Sequence, residues 1–276
     1  MKTRINGLLL GMMGSFVFCA PSFAQDTGKT HNFSITPEIS KYEYKEPGLM
    51  KLSGTMYGLS AEYLNNGGVG RIKGSVPIQL RGRFTYMYGK LDYDGHLQNI
   101  YTGERTPFKA TNDKNYFFDT AFLGGVEFKL SEKLSISPYT GLGYRYLLDK
   151  KRKKDPYNYD YKREQTYYYL PIGADLKVPL SSGWSLAFNT EIDVLLRGEN
   201  KSHVDGGLKF RQNSGYGWRL AAKVEKNLHS VGIFAEPFYR YWDIAKSNKD
   251  TGNSGASWLE PKNKTNEFGL RIGVTF

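Results

Sequence analysis

From about residue 30 onward, apolar and polar residues alternate in a series of short segments. The clearest is the last, where Phe268, Leu270, Ile272, Val274 and Phe276 interleave with Glu267, Gly269, Arg271, Gly273 and Thr275. The same period of two runs from Trp184 to Arg197, from Leu170 to Val178 and from Arg219 to Glu225. That period places successive side chains on opposite faces of a strand. The pattern predicts ten strands, over 33–44, 55–64, 76–92, 116–130, 134–148, 166–179, 184–197, 215–226, 231–244 and 266–276. Most are long enough to cross a bilayer at a tilt. The links 131–133, 180–183 and 227–230 are tight and 65–75 is a Gly-rich turn, whereas 93–115, 149–165, 198–214 and 245–265 are long and polar. Short turns at one end and long loops at the other are the pattern of a membrane β-barrel.

Composition sharpens this picture. Tyr 21, Phe 16 and Trp 4 bring aromatics to 15%, beside 31 Gly. If the even strand count returns both termini to the periplasm, outward Tyr86, Tyr88, Tyr144, Tyr146, Tyr168, Tyr216, Trp218, Tyr239 and Tyr241 gather at the outer rim. Phe128, Trp184 and Phe276 fall at the periplasmic rim. Two aromatic girdles are what headgroup-level rings produce. No stretch after the N-terminus reaches the roughly 20 apolar residues of a membrane helix. Strands survive in lipid only when closed, because an open edge leaves backbone groups without hydrogen bonds. A soluble β-sandwich fits the alternation but not the loop asymmetry or the aromatic terminal strand.

The first residues read as an export signal. Lys2 and Arg4 precede an apolar run over 7–20, and Ser22 and Ala24 supply small residues at −3 and −1. Cleavage after Ala24 is expected, leaving a single domain over 25–276. Cys19 leaves with the signal, so the mature chain has no disulfide, thiolate site or cysteine nucleophile. The four histidines (His31, His96, His203 and His229) are too scattered for a metal site, and nothing in the sequence asks for a cofactor.

The export signal, the alternating strands and the terminal NEFGLRIGVTF resemble the small outer-membrane β-barrel proteins of Gram-negative bacteria, over nearly all of 30–276. The resemblance implies an outer-membrane location. It also implies that the last strand, with Phe268, Leu270, Ile272, Val274 and Phe276, serves as an assembly signal read by the barrel-assembly machinery. It is uninformative about activity.

Positions expected to face the lumen carry ten acids and ten bases, among them Glu38, Asp119, Glu191, Asp193, Glu267, Arg83, Lys129, Arg145, Arg197, Arg219, Arg240 and Arg271. A balanced set suggests a plug of paired side chains. The alternative is a narrow, water-filled lumen. Wide channels need about 16 strands, which argues against a general porin. Beyond Ala24 the chain holds 36 basic and 27 acidic residues, so the surplus falls on loops. Lys150, Lys151, Arg152, Lys153 and Lys154 form its densest run. This run is either a solvated loop or a site for lipopolysaccharide phosphates or an external polyanion. Nucleic acid is not an expected partner at the cell surface.

One constellation could carry chemistry. Asp92 and Asp94 close the third strand, and His203 and Asp205 follow the seventh. The arrangement is similar to that of the ten-stranded omptin proteases, in which acidic and histidine groups activate a water. Omptins read Asp-x-His, whereas this chain reads His-x-Asp. A lipid A-modifying site built on Ser202 and His203 is a further option, but strand neighbours face opposite sides. The expectation is a non-enzymatic surface structural or interaction protein, with an outer-membrane hydrolase or a narrow channel as the alternatives.

Overall fold

The computed structural model describes residues 31–72, 76–98, 102–150, 162–228 and 230–276. The expected signal over 1–24 lies outside them. Among the described residues fourteen strands follow one another: β1 (His31–Glu46), β2 (Met50–Ile72), β3 (Val76–Gln98), β4 (Arg105–Val126), β5 (Phe128–Ser131), β6 (Leu134–Lys150), β7 (Lys162–Pro179), β8 (Trp184–Ser202), β9 (Leu208–Gln212), β10 (Gly215–Leu228), β11 (Val231–Ile244), β12 (Lys249–Thr251), β13 (Ser257–Leu259) and β14 (Asn263–Thr275). Ten of them form an antiparallel ring, β1-β2-β3-β4-β6-β7-β8-β10-β11-β14. The ring closes where β14 pairs with β1. Phe33 and Phe276 exchange backbone hydrogen bonds of 3.3 and 2.8 Å at that seam, so the two strand termini share one end, the lower end below. Among the described residues no helix could cross a membrane; the crossing is made by strands.

The outward face carries a continuous apolar band. Phe84, Phe122, Leu142, Ile172, Ile192, Phe268 and Ile272 are all exposed. At the upper edge of the band, rings touch across strands: Tyr88–Tyr116 at 5.3 Å, Phe118–Tyr146 at 5.5 Å, Tyr144–Tyr168 at 5.1 Å and Tyr216–Tyr241 at 6.2 Å between centroids. Phe128, Trp184 and Phe276 are exposed at the lower edge, as the pattern predicts. Phe268, Leu270, Ile272 and Phe276 point outward along β14, with Val274 half-buried in the same row.

Two expectations need correction. The long loops are largely strand: β3 runs to Gln98 and β4 starts at Arg105, β8 reaches Ser202, and β9, β12 and β13 build hairpins above the band. A crossing strand needs about 9–11 residues, so β2 and β3, at 23 residues each, project well beyond the apolar band. Polar residues on both faces hid this from the sequence pattern. The second correction is Arg197, expected inward. A bulge in β8 sets Tyr168 opposite Arg197 but Tyr169 opposite Leu195, leaving Leu196 as an extra residue. An extra residue inverts facing beyond it, so the Arg197 side chain is 62% exposed. Lys129, in the short β5, is exposed as well.

Candidate functional site

The lumen is filled in layers. At mid-height, Arg219 donates to Asp193 (2.6 Å), Asp119 (2.8 Å) and the Tyr169 hydroxyl (3.0 Å), and lies 3.0 Å from Glu191. Arg83 grips Glu191 with two nitrogens, at 2.9 and 2.8 Å. Arg240 bridges Glu38 (2.6 Å) and Glu267 (3.2 Å), and Arg271 meets Glu38 at 3.0 Å. Guanidinium forks suit this task, because one group can satisfy several carboxylates in fixed directions. Above them lies an apolar and aromatic layer that includes Leu52, Met56, Met87, Leu91, Phe117, Leu147 and Trp242. The Arg145 guanidinium stacks 4.4 Å from the Phe117 ring.

A second ionic centre closes the top. Arg163 meets Glu46 at 2.5 Å, Glu260 at 3.2 Å and Asp149 at 3.5 Å, with its guanidinium 4.6 Å from the Tyr44 ring. These residues come from four distant segments of the chain. Burial, and the charge of Glu46 beside it, push the Glu260 carboxyl up to about 7 despite Arg163. Below the mid-height layer the packing stops. A polar cavity of about 270 Å³ remains, bordered by Glu62, Gln79, Arg81, Asp175, Asn189 and Lys223.

The four chemical candidates do not converge. Asp92 and Asp94 lie on the outward face of β3, since Leu91 and Tyr93 take the inward positions. Asp92 accepts the Asn112 backbone N–H at 3.1 Å, and Asp94 pairs with Lys109 at 3.0 Å. His203 lies against Glu164, at the top of β7 above the band, with Nε2 2.9 Å from Oε1. Glu164 also receives Lys162 at 2.5 Å and the Tyr146 hydroxyl at 2.8 Å. The Lys162 hydrogen bond, more than that from His203, holds the Glu164 carboxyl down at about 2. Asp205, at φ +48°, accepts the Ser254 hydroxyl (2.6 Å), the Ser254 N–H (2.9 Å) and the Trp258 indole N–H (2.9 Å). Those bonds, Ser254's first, lower its pKa. The bonds make Asp205 a brace between two rim hairpins.

The rim is hydrogen-bonded throughout this sector. Asp250 accepts the Lys209 N–H at 2.9 Å, Asn248 accepts that of Arg211 at 2.6 Å, and Ser247 and Glu260 exchange bonds of 2.9 and 2.8 Å. Exposed Lys201, Lys209, Arg211, Lys246 and Lys249 stand on this frame. Lys150 is exposed at the top of β6, and Lys151, Arg152, Lys153 and Lys154 lie outside the described residues. Sequence reasoning missed the Arg163 centre and the Glu164 group. Carrying the alternation of β1 and β6 past Tyr44 and Leu147 would have marked Glu46 and Asp149 as inward. Among the described residues no group of acids and histidines could hold a metal ion.

A family model described as OpcA, outer membrane protein OpcA, matches residues 121–276. Comparison with curated proteins gives no match. Among solved structures, the outer membrane protease OmpT from Escherichia coli superimposes with a TM-score of 0.57 at 10% identity, covering 92% of this chain and 98% of that one. At such identity the likeness is one of fold. Neisserial surface protein A reaches a TM-score of 0.34 at 10% identity, over 88% of this chain and 95% of its own. The attachment invasion locus protein Ail of Yersinia pestis reaches 0.33 at 11% identity, over 89% and 98%.

Proposed function

The chain belongs to the OpcA outer membrane protein family, and from that premise we propose that it is a non-enzymatic surface protein whose basic upper rim binds polyanions. It is an outer-membrane β-barrel. The observation that carries the proposal is the braced rim. Lys201 and Lys209 face each other across the β8–β9 ladder, and Arg211, Lys246 and Lys249 are exposed beside them. Cations held on a hydrogen-bonded frame lose little freedom on meeting an extended anion, and their fields add. Lys150, exposed at the top of β6, adds to this charge. The sequence continues the basic run through Lys151, Arg152, Lys153 and Lys154, which lie outside the described residues. The partner this charge suits is lipopolysaccharide or an external polyanion. Replacing Lys201, Lys209, Lys246 and Lys249 with Gln is expected to weaken binding of dextran sulfate by about tenfold or more. The difference should vanish near 1 M salt, where screening acts within about 3 Å. Equal binding by the variant at low salt would remove the proposal.

The hydrolase alternative draws its support from His203 alone, whose neighbour Glu164 could orient it. With Asp92 and Asp94 on the outer wall, a water between His203 and that pair has no support. His203→Ala is expected to leave polyanion binding unchanged. A cleavage activity on peptides or lipid A that disappears in this variant would reinstate the enzyme. For biogenesis, the reading is export with cleavage after Ala24 and recognition of β14 by the barrel-assembly machinery. Deleting Phe276 should lower the yield of heat-modifiable barrel more than trimming any rim hairpin, and N-terminal sequencing should begin at Gln25.

A further inference from the structure

The strand register lines up lysines on the outer wall. Lys90 on β3 is the cross-strand partner of Lys114 on β4, Lys114 is that of Lys150 on β6, and Lys150 is that of Lys162 on β7. On the other side the row continues through Thr55 to Lys41. Lys41, Lys90, Lys114 and Lys150 are exposed. Lys41 donates to Thr55 at 2.8 Å and Lys162 is neutralised by Glu164. Among the described residues no carboxylate lies within ion-pair distance of Lys90, Lys114 or Lys150. Opposed residues on neighbouring strands are about 4.5–5.5 Å apart, and like charges so placed destabilise a sheet. Three in succession on one face cost stability that an anion lying over them would restore.

The height of the row identifies what that is. Lys90 and Lys114 stand two residues above Tyr88 and Tyr116, whose rings touch at the upper edge of the apolar band. Two residues of strand are about 7 Å, and the headgroup layer is about 5–8 Å thick on each side of a bilayer. Both ammonium groups therefore stand at phosphate level. We propose that Lys90 and Lys114, flanked by Lys41 and Lys150, form a wall site for the phosphate groups of a phosphorylated glycolipid of the outer leaflet, whose acyl chains lie along the apolar band below. The site rests on the membrane placement of the barrel and not on polyanion binding by the rim.

The test uses the full mature barrel in phosphatidylcholine vesicles, with and without diphosphoryl lipid A. Lipid A is expected to raise the unfolding temperature of the wild type by several degrees. In K90Q/K114Q most of that rise should be lost, while in phosphatidylcholine alone the variant should be at least as stable as the wild type, because an unfavourable opposition has been removed. Dephosphorylated lipid A should raise neither protein. Inorganic pyrophosphate, added in its place, should not reproduce the rise. Dextran sulfate binding by K90Q/K114Q reports separately on the rim and should persist. The wall site is wrong if the variant keeps the full lipid A response, if dephosphorylated lipid A or pyrophosphate works as well, or if the variant is less stable in phosphatidylcholine alone.

Discussion

Both halves of the lumen are lined with charge, yet only one of them is dry. In the upper half Arg145 is 1% exposed and Tyr169 is fully buried. In the lower half, Glu62 and Lys223 border an open cavity with side chains 39% and 24% exposed. Base choice follows the water. Every buried base among the described residues is an arginine, whereas Lys177 and Lys223 border the wet cavity. An ammonium is a strongly hydrated point charge, while a guanidinium spreads its charge and can serve several acids at once. The contrast teaches that this barrel is sealed by shared arginines rather than by charge balance as such.

The sharpest way to break that contrast is Arg219→Ala, which strips Asp119, Asp193 and Glu191 of a shared partner. A loss of about 3–5 kcal/mol is expected, since buried carboxylates are left uncompensated. Urea unfolding in detergent measures it. A loss below about 1 kcal/mol would show that the mid-height layer is wet after all. Next in size is Trp242→Ala, expected to cost about 3 kcal/mol through the cavity it leaves. The wild type, reconstituted in planar bilayers, should show no steady conductance, and stable single-channel currents would disprove the seal.

A smaller effect comes from Glu260. Its pKa is raised by burial, so the folded cap holds a proton that the unfolded chain releases. The stabilisation is fully present at about pH 4 and is lost as pH rises through about 7, falling by at most roughly 1.4 kcal/mol for each pH step of one between those limits. Protease nicking between Ala245 and Glu260 should therefore be slower at pH 5.5 than at pH 8, after correction for protease activity. Glu260→Gln should flatten the difference. The smallest effect is Lys223→Gln in the wet half. Its pairing with Glu225 at 3.6 Å is solvated, and a change within about 0.5 kcal/mol is expected.

The ring of ten strands was legible because lipid enforces a strict alternation, and β14 shows it at its plainest. Above the apolar band that force is gone. Water tolerates polar residues on both faces, so the upper reaches of β3, β4 and β8 read as loops. The phase of a strand persists without lipid, however. Tyr86 and Tyr88 are outward, so Asp92 and Asp94 had to be outward too, and counting on from them would have separated them from any lumenal chemistry. The bulge at Leu196 is different in kind. The local trace of it is a break in alternation, three apolar residues in a row at Val194-Leu195-Leu196, which does not say where the facing changes, so the facing of Arg197 could not be read. The Arg163 centre was hidden because its acids come from β1, β6 and the segment before β14, a proximity that only closure creates.

That closure joins Ser34 to Thr275, near the two ends of the chain. Until the last strand arrives, β1 and whatever strand precedes it each present an unpaired edge. Loop-closure entropy makes such a distant pairing slow. No fragment that lacks β14 can complete the wall. The seam thus makes completion all-or-none: a chain cut before Asn263 is expected to keep two open edges and aggregate, where the full chain gives a heat-modifiable barrel.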